Sequence, residues 1–165
     1  MDDYAVLANF KDFDIKYRGD NYYLNGLREK SLHKYTNAGM IYIVRDENGN
    51  RNDDKFLLLK LSYSSLQWSS PGGKIDPGEE AWEAGKRELK EETGIVLSVE
   101  DLLSVQVGIF PPTNTKLFIL TFESLPNVKL SSEHTEYKFV KRSDLKSVDF
   151  TWYMKGAVEN LRLNV

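Results

Sequence analysis

The chain has 165 residues, of which 41% are hydrophobic and 28% are charged, and this composition fits one globular domain with a substantial core. Its formal net charge of -3 gives no attraction to long nucleic acid or to an anionic membrane, but leaves a small nucleotide or a capped RNA end open. The absence of cysteine excludes disulfides and thiolate metal sites, and without a basic leader or an apolar run near ~20 residues we expect a cytoplasmic protein.

Residues 1–36 mix aromatic and charged side chains and form a predicted N-terminal extension of the domain at 37–165. Alternating apolar residues over 13–17 predict a short strand, and the turn residues at 19–21 predict a hairpin with the next one. Such a segment most often adds an edge strand to a sheet. The alternatives are contact with a nucleotide, for which Tyr22 is a candidate, or with a second subunit in a homodimer.

Two dense runs of β-forming residues, at 38–44 and 56–61, predict the first strands of the main sheet. The turn-rich segment 46–52 joins them, so we expect a hairpin that is buried on both faces. Trp68 follows shortly before a Pro-Gly-Gly element, and we expect its ring to anchor that loop in the core.

A loop and a helix follow at 71–95, and they carry the most informative part of the sequence. The loop at 71–78 is rich in glycine and proline, and a helix is predicted from Glu79 to about Thr93. Gly94 stands where a left-handed C-cap residue is required.

The predicted helix presents three carboxylates on one face, because side chains three and four residues apart are neighbours there. These carboxylates belong to Glu88, Glu91 and Glu92. Like charges this close repel one another unless a cation lies between them, and Mg2+ prefers oxygen ligands of this kind. The alternative is a solvated helix face, for which the spacing of Glu83 and Arg87 is ordinary.

Further strands and two helices are predicted beyond the loop and helix. Strands are expected at 102–110, 116–122 and 137–140, a short helix at 143–145, and an amphipathic closing helix over 150–163. The apolar stripe of the closing helix comprises Phe150, Tyr153, Met154, Ala157, Val158 and Leu161. Strands on both sides of a central helix predict a mixed sheet between helices.

The fixed positions of the loop and helix form a recognisable pattern over 23 residues: Gly73, Glu79, Arg87-Glu88-Leu89, Glu91-Glu92 and Gly94-Ile95. This pattern matches the Nudix box without a departure, and the chain therefore resembles the Nudix hydrolase family. The resemblance implies an α/β fold of the Nudix type, an α/β/α sandwich with a mixed central sheet. It places the catalytic loop and helix at 71–95 and agrees with the C-terminal amphipathic helix.

The resemblance implies a metal-dependent pyrophosphohydrolase that cleaves the phosphoanhydride of a small nucleotide substrate. Glu88, Glu91 and Glu92 are the implied ligands of Mg2+, with Mn2+ as an alternative. Because glycine permits close approach, a backbone carbonyl of Gly72 or Gly73 is a candidate extra ligand. A non-catalytic nucleotide-sensing module is less expected, since such proteins usually lose box carboxylates and all are present here.

The resemblance also implies an internal ion pair between Arg87 and Glu79 that fixes the loop and helix. The general base is left open between Glu92 and Glu133, because family members recruit a glutamate from a later loop. A role in a solvated turn is the alternative for Glu133, and His134 is a candidate assistant.

Two pointers to the substrate disagree. Pro111 stands sixteen residues past Ile95, which is typical of Nudix proteins that cleave ADP-ribose, and 110–115 lacks the tyrosine typical of dinucleoside-polyphosphate hydrolases. Glu133-His134 resembles the late loop of nucleotide and dinucleoside-polyphosphate hydrolases instead.

We slightly prefer ADP-ribose or a nucleotide sugar as the substrate. Dinucleoside polyphosphates, nucleoside triphosphates and an mRNA cap, which would make the chain a decapping hydrolase, rank behind them. The aromatic side chains of Tyr22, Phe110 and Tyr137 are candidates to bind the base.

Overall fold

A mixed eight-stranded sheet lies at the centre of the structure, a computed structural model that describes residues 8–9, 15–18, 21–24, 35–61 and 66–164. The strands are β1 (Ala8–Asn9), β2 (Ile15–Arg18), β3 (Asn21–Leu24), β4 (Asn37–Val44), β5 (Lys55–Leu61), β6 (Trp68–Ser69), β7 (Gly72–Lys74), β8 (Leu102–Phe110), β9 (Thr115–Phe122) and β10 (His134–Lys141). The α-helices are α1 (Ala81–Thr93) and α2 (Trp152–Asn160).

The sheet has the order β1-β8-β9-β4-β5-β10, with β7 paired to β4 and β6 paired to β5. β4 and β9 run parallel, and the other named pairs are antiparallel. A parallel pair requires a crossover connection, and α1 lies within the chain that connects these two strands. β2 and β3 form a separate antiparallel hairpin, as the sequence predicts.

Two hydrophobic cores lie on opposite faces of the sheet. Alternate residues of β4 point to opposite faces, so Met40 joins the core under α1 and Ile41 joins the core under α2. Trp82 and Leu89 bring α1 into the first core, and Met154 brings α2 into the second. The predicted α/β/α sandwich with a mixed sheet is therefore confirmed.

Two helix predictions need correction at their boundaries. α1 begins at Ala81 rather than Glu79, because Gly78 has φ 81 and Glu80 is extended with φ -83 and ψ 157. α2 covers a shorter span than 150–163, and the side-chain oxygen of Thr151 caps it by accepting from the amide of Met154. The short helix expected at 143–145 is a 3-10 helix, Arg142–Ser147.

Two individual residues also differ from expectation. Tyr153 does not join the buried stripe of α2, since 38% of it is exposed. β10 begins at His134, three residues before the predicted strand, and a register shift between His134 and Glu136 accompanies this early start. Trp68 is half-buried against the core under α2, with Lys138 Nζ 4.0 Å from its ring centroid.

The N-terminal segment is described only as backbone in three short strands. β1 pairs with β8 at the edge of the sheet, which agrees with the expected edge strand. The side chain of Tyr22 lies outside the described residues, and a homodimer through 1–36 stays a prediction. Among the described helices, none is long and apolar enough to cross a membrane.

Candidate active site

The end of α1 gathers residues from the second half of the chain. The last carbonyls of a helix lack partners within the helix and must find donors elsewhere. Here the carbonyl of Glu92 accepts from Ser131 N at 3.1 Å and that of Thr93 accepts from Lys129 N at 2.8 Å. Gly94 then leaves the helix in the left-handed conformation, with φ 75. The loop before β10 is thereby held against the carboxylate-bearing turn of α1.

Arg87 is the hub that joins the loop to α1. Its Nε and Nη2 donate to the two carboxylate oxygens of Glu79 at 2.9 and 3.0 Å, so the expected ion pair is present and bidentate. Nη2 also donates to the carbonyl of Lys74 at 2.9 Å. These hydrogen bonds lower the pKa of Glu79 and raise the pKa of Arg87. Glu79 lies ahead of the helix and still reaches Arg87, because its Oε1 accepts from the amide of Asp76.

Two of the predicted metal ligands share the same guanidinium. Arg87 Nη1 donates to Glu88 Oε1 at 2.9 Å and to Glu91 Oε2 at 3.3 Å. Burial raises the pKa of Glu88, and the hydrogen bond from Arg87 opposes that shift. A Cβ on Gly73 would lie 2.5 Å from Glu88 Cδ. Only glycine therefore leaves room for the Glu88 carboxylate at the loop.

Glu92 is the carboxylate of the site whose pKa is raised furthest. It is 6% exposed, and its Oε1 accepts from the amide of Gly72 at 2.8 Å. Its Oε2 lies 3.4 Å from His134 Nε2. Burial raises the pKa of Glu92 to about 8 against the opposing effect of the Gly72 amide, and the nearby charges of Glu88 and Glu133 add to the rise.

Glu133 and His134 complete the cluster on the other side of Glu92. One ligand atom from each of these three residues lies within 4.8 Å of the others. Glu133 is exposed, whereas His134 is buried and its pKa is lowered by that burial. His134 Nδ1 is a buried nitrogen without a hydrogen bond to the described part of the chain.

The donor set fits a hard divalent cation. Four carboxylates, those of Glu88, Glu91, Glu92 and Glu133, interact electrostatically. Arg87 donates to Glu88 and Glu91 while it also holds Glu79. Burial is the largest cause of the raised pKa of Glu88 and of Glu92, and the neighbouring carboxylates raise both pKa values further. A cation with oxygen ligands would offset the repulsion between these carboxylates. The structure brings Gly72 and Gly73 to the same cluster, and the ligand role of their carbonyls stays a prediction.

A cavity of about 250 Å3 adjoins this cluster. Its lining includes Gly72 and Gly73, which lie against the carboxylates of Glu92 and Glu88, and also Phe110, Tyr153 and Met154. Polar groups also face it: Asn37 Nδ2 donates to the carbonyl of Thr113 at 2.8 Å, and both residues line the cavity. An apolar cavity with a few polar groups beside charged residues is the usual form of a small-molecule site.

Two exposed aromatic side chains lie at or near this cavity: Tyr153 lines it, and Trp152 lies next to the lining residue Phe110. Tyr153 is 38% exposed and Trp152 is 64% exposed. The ring centroids of Phe110 and Trp152 are 6.4 Å apart. Large exposed aromatics are uncommon away from binding surfaces, so this group is a candidate contact for a planar ligand.

Of the residues predicted to bind the base, Phe110 and Tyr137 lie in different places relative to the cavity. Phe110 lines the cavity, whereas Tyr137 is not among its lining residues and packs edge-on against Phe139 at 6.2 Å. Sequence reasoning missed both residues near the cavity: apolar periodicity placed Tyr153 in the buried stripe of the closing helix, and Trp152 was not considered. The available signal was the pair of adjacent aromatics after Thr151, since neighbouring residues of a helix cannot both face the core.

Comparison with known proteins agrees with this site. The NUDIX domain model matches residues 35–161. The chain is 34% identical over 105 residues to bis(5'-nucleosyl)-tetraphosphatase [asymmetrical] of Caenorhabditis elegans, covering 58% of this chain and 75% of that protein. It is 60% identical over 67 residues to RNA pyrophosphohydrolase of Bradyrhizobium sp. (strain ORS 278), covering 41% of this chain and only 34% of that protein.

A solved structure is similar over most of the fold. The crystal structure of a C. elegans Ap4A hydrolase binary complex aligns with a TM-score of 0.59 and 27% sequence identity, covering 76% of this chain and 95% of that one. The family model spans well over half of the chain and includes the acidic helix, the cavity and the loop that carries Glu133. The chain belongs to the Nudix family, whose hydrolases act on phosphoanhydride bonds.

Proposed function

We propose that the chain hydrolyses dinucleoside polyphosphates, with a divalent cation held by the acidic cluster. The observation that carries this proposal is that Gly72 and Gly73 contact the carboxylates of α1 and also line the aromatic-walled cavity. A nucleoside in the cavity would therefore place its phosphates next to the acidic cluster. The similarity to the C. elegans tetraphosphatase over 75% of its length supports the polyphosphate as the substrate.

ADP-ribose or a nucleotide sugar, preferred on the sequence alone, is the second candidate. The residue that favours it is Pro111, which begins a 3-10 turn directly after Phe110. Pro111 is exposed and is not among the residues that line the cavity, whereas Phe110 is. We therefore rank dinucleoside polyphosphates first. A triphosphate or capped 5' end of RNA stays a candidate through the shorter match to the bacterial RNA pyrophosphohydrolase.

The cation would be held by Glu88, Glu91 and Glu92, with Mg2+ as the proposed ion and the carbonyls of Gly72 and Gly73 as candidate extra ligands. When bound, such a cation neutralises phosphoryl oxygens and makes water a better nucleophile. Arg87 holds the helix and the loop in register through Glu79 and the carbonyl of Lys74.

We assign the general base to Glu133. Glu92 has one oxygen on the amide of Gly72 and the other beside His134, whereas Glu133 is exposed. In the reaction, a water oxygen forms a bond to phosphorus while the bridging P–O bond breaks, and the leaving phosphate departs with its nucleoside. The proton of the water passes to the Glu133 carboxylate.

A substrate panel tests the proposal. Diadenosine tetraphosphate, ADP-ribose, a nucleotide sugar, ATP and capped RNA are incubated with the protein and Mg2+, and products are identified by mass. We expect the highest kcat/KM for diadenosine tetraphosphate, with a nucleoside mono- and triphosphate as products. Faster turnover of ADP-ribose would instead support the second candidate. Nucleotide binding without hydrolysis of any substrate would overturn the enzymatic proposal.

A further inference from the structure

Gly156 lies in the middle of α2, where a glycine is unfavourable. Glycine loses more conformational freedom in a helix than alanine does, so an interior glycine calls for a steric reason. The reason here is the ring of Phe110. A Cβ on Gly156 would lie 2.8 Å from Phe110 Cζ and 2.9 Å from Cε1, closer than such atoms can approach.

Phe110 lines the cavity together with Tyr153, Met154 and Ala157 of α2, and the end of its ring lies against Gly156. Its backbone is fixed, because Phe110 pairs with Thr115 at the end of β8 and β9 and the turn Pro111–Thr113 follows directly. A group added at Gly156 would therefore displace the end of the ring, since the backbone cannot yield. Because Phe110 lines the cavity, we expect the displaced ring to narrow it.

We propose that Gly156 is a positioning residue that determines specificity by holding the Phe110 ring against α2 and so keeping the cavity open for a planar nucleobase. The inference rests on the proposed function, because the cavity is taken as the nucleoside site. Gly156 itself does not touch the ligand and acts through Phe110. The acidic cluster meets the cavity at Gly72 and Gly73 and not at Phe110, so we expect the effect on base binding and not on bond cleavage.

A purely structural role for Gly156 predicts a different result. If the glycine only allowed the helix to pack, an added methyl group would destabilise the fold and leave the ligand affinity of the folded protein unchanged. If it keeps the cavity open, the end of the flexible ring can move into the cavity and the fold is preserved. Alanine also favours the helix, so thermal stability should be equal or higher.

The test compares Gly156→Ala, Phe110→Leu and the double variant in three measurements. These are kcat and KM for diadenosine tetraphosphate, the Kd of 5'-AMP for the metal-free protein by calorimetry, and Tm. We expect Gly156→Ala to raise KM and Kd about tenfold, which is the usual effect of one methyl group on binding in a fitted pocket. We expect kcat to be unchanged and Tm not to be lowered. Lys155→Ala, an exposed change on the same helix, is the matched control and should alter neither constant.

The double variant decides whether the effect passes through Phe110. Leucine lacks the ring atoms that a Cβ at position 156 would meet, so the cost of Gly156→Ala should disappear in the Phe110→Leu background. An unchanged KM and Kd in Gly156→Ala, a tenfold loss that persists in the double variant, or a large fall in Tm would each overturn the inference. The 5'-AMP measurement separates the two proposals: normal binding without hydrolysis by the wild type would remove only the proposed function.

Discussion

Arg87 and Arg142 both hold several partners, yet they lie on opposite faces of the sheet in opposite electrostatic surroundings. Arg87 meets the carboxylates of Asp76, Glu79, Glu88 and Glu91 within 3.4 Å. These acidic partners raise its pKa, with the hydrogen bond to Glu79 as the largest cause. One positive charge thus faces four negative ones, and a net negative charge is left over.

Arg142 shows the complementary case. It is 6% exposed, and within the described residues its one carboxylate partner is Asp54, with Oδ2 at 3.8 Å. Its other donors go to the carbonyls of Leu163 and Arg51, and its guanidinium lies 4.9 Å from the ring of Phe56. Burial lowers its pKa. Arg142 therefore belongs to a closed structural ion pair, whereas Arg87 lies in an open cluster with an excess of carboxylates. Variants of each arginine and its partners test this distinction.

The largest effect is expected from Glu92→Gln. Removing one carboxylate from the acidic cluster should reduce kcat by roughly 10^3-fold, since a bound cation supplies several kcal/mol of transition-state stabilisation. Tm of the metal-free protein should stay equal or rise, because glutamine is neutral when buried without having to take up a proton on folding. Steady-state kinetics and thermal unfolding check both parts. Glu159→Gln, an exposed change on α2, is the control, and wild-type turnover by Glu92→Gln would contradict the assignment.

Arg142→Met should act on stability and leave catalysis intact. Removing the arginine leaves Asp54 buried without its charge partner, which should cost about 3 kcal/mol of unfolding free energy. For a chain of this size that lowers Tm by about 10 °C. Denaturant unfolding measures the loss, and kcat of the folded protein should not change.

A second substitution sharpens the Arg142 result. Asp54→Asn in the Arg142→Met background removes the stranded charge and should recover part of the lost stability. If the double variant is less stable than the single one, the cost comes from lost packing against Phe56 rather than from the unpaired carboxylate.

A smaller effect is expected from Arg87→Lys. Lysine keeps the charge but cannot donate to both Glu79 oxygens and to the Lys74 carbonyl from one rigid group. We expect kcat/KM or apparent Mg2+ affinity to fall by about 10- to 100-fold, as for residues that orient metal ligands. Lys90→Ala, an exposed change on α1, serves as the control. Activity equal to that of the wild type would show that the loop and helix hold their register without the guanidinium of Arg87.

The smallest effect is a pH-dependent change in Tm. The folded protein holds a proton on Glu92 up to about pH 8, whereas the unfolded chain releases it near the ordinary value of 4.5. The folded state therefore binds more protons than the unfolded chain between pH 4.5 and pH 8. The stabilisation of the fold by protonated Glu92 is complete below pH 4.5 and is lost as the pH rises through 8.

Thermal unfolding of metal-free wild type and Glu92→Gln over this pH range isolates the contribution. The wild type should lose a few degrees relative to the variant as the pH rises, and Mg2+ should reverse the loss. Parallel pH profiles of the two proteins would show that Glu92 is not the group responsible.

Much of the fold follows from local patterns in the sequence. β8 has the predicted bounds because its apolar run ends at two prolines, and Gly94 ends α1 because it adopts a positive φ. The pairing of Arg87 with Glu79 is implied by the Nudix pattern even though the helix starts later than expected.

The burial of His134 and the placement of Tyr153 depend on tertiary contacts that local patterns do not contain. His134 enters the sheet because the loop before it docks on the last carbonyls of α1, far away in the chain. Tyr153 occupies an apolar position of the helical period, yet that position faces a cavity and not a neighbouring strand. Hydrophobic periodicity identifies a face of a helix without showing what lies opposite it.

The parallel pairing of β4 with β9 has a consequence for how the protein folds. Asn37 pairs with Thr115 and Val44 pairs with Phe122, so the middle of the sheet closes only after a long loop of chain has been ordered. Non-local pairing of this kind slows folding. The segment that must cross over to close the loop contains α1 itself. We therefore expect the acidic helix to dock in the rate-limiting step of folding, so that the protein acquires its sheet and its cation site together.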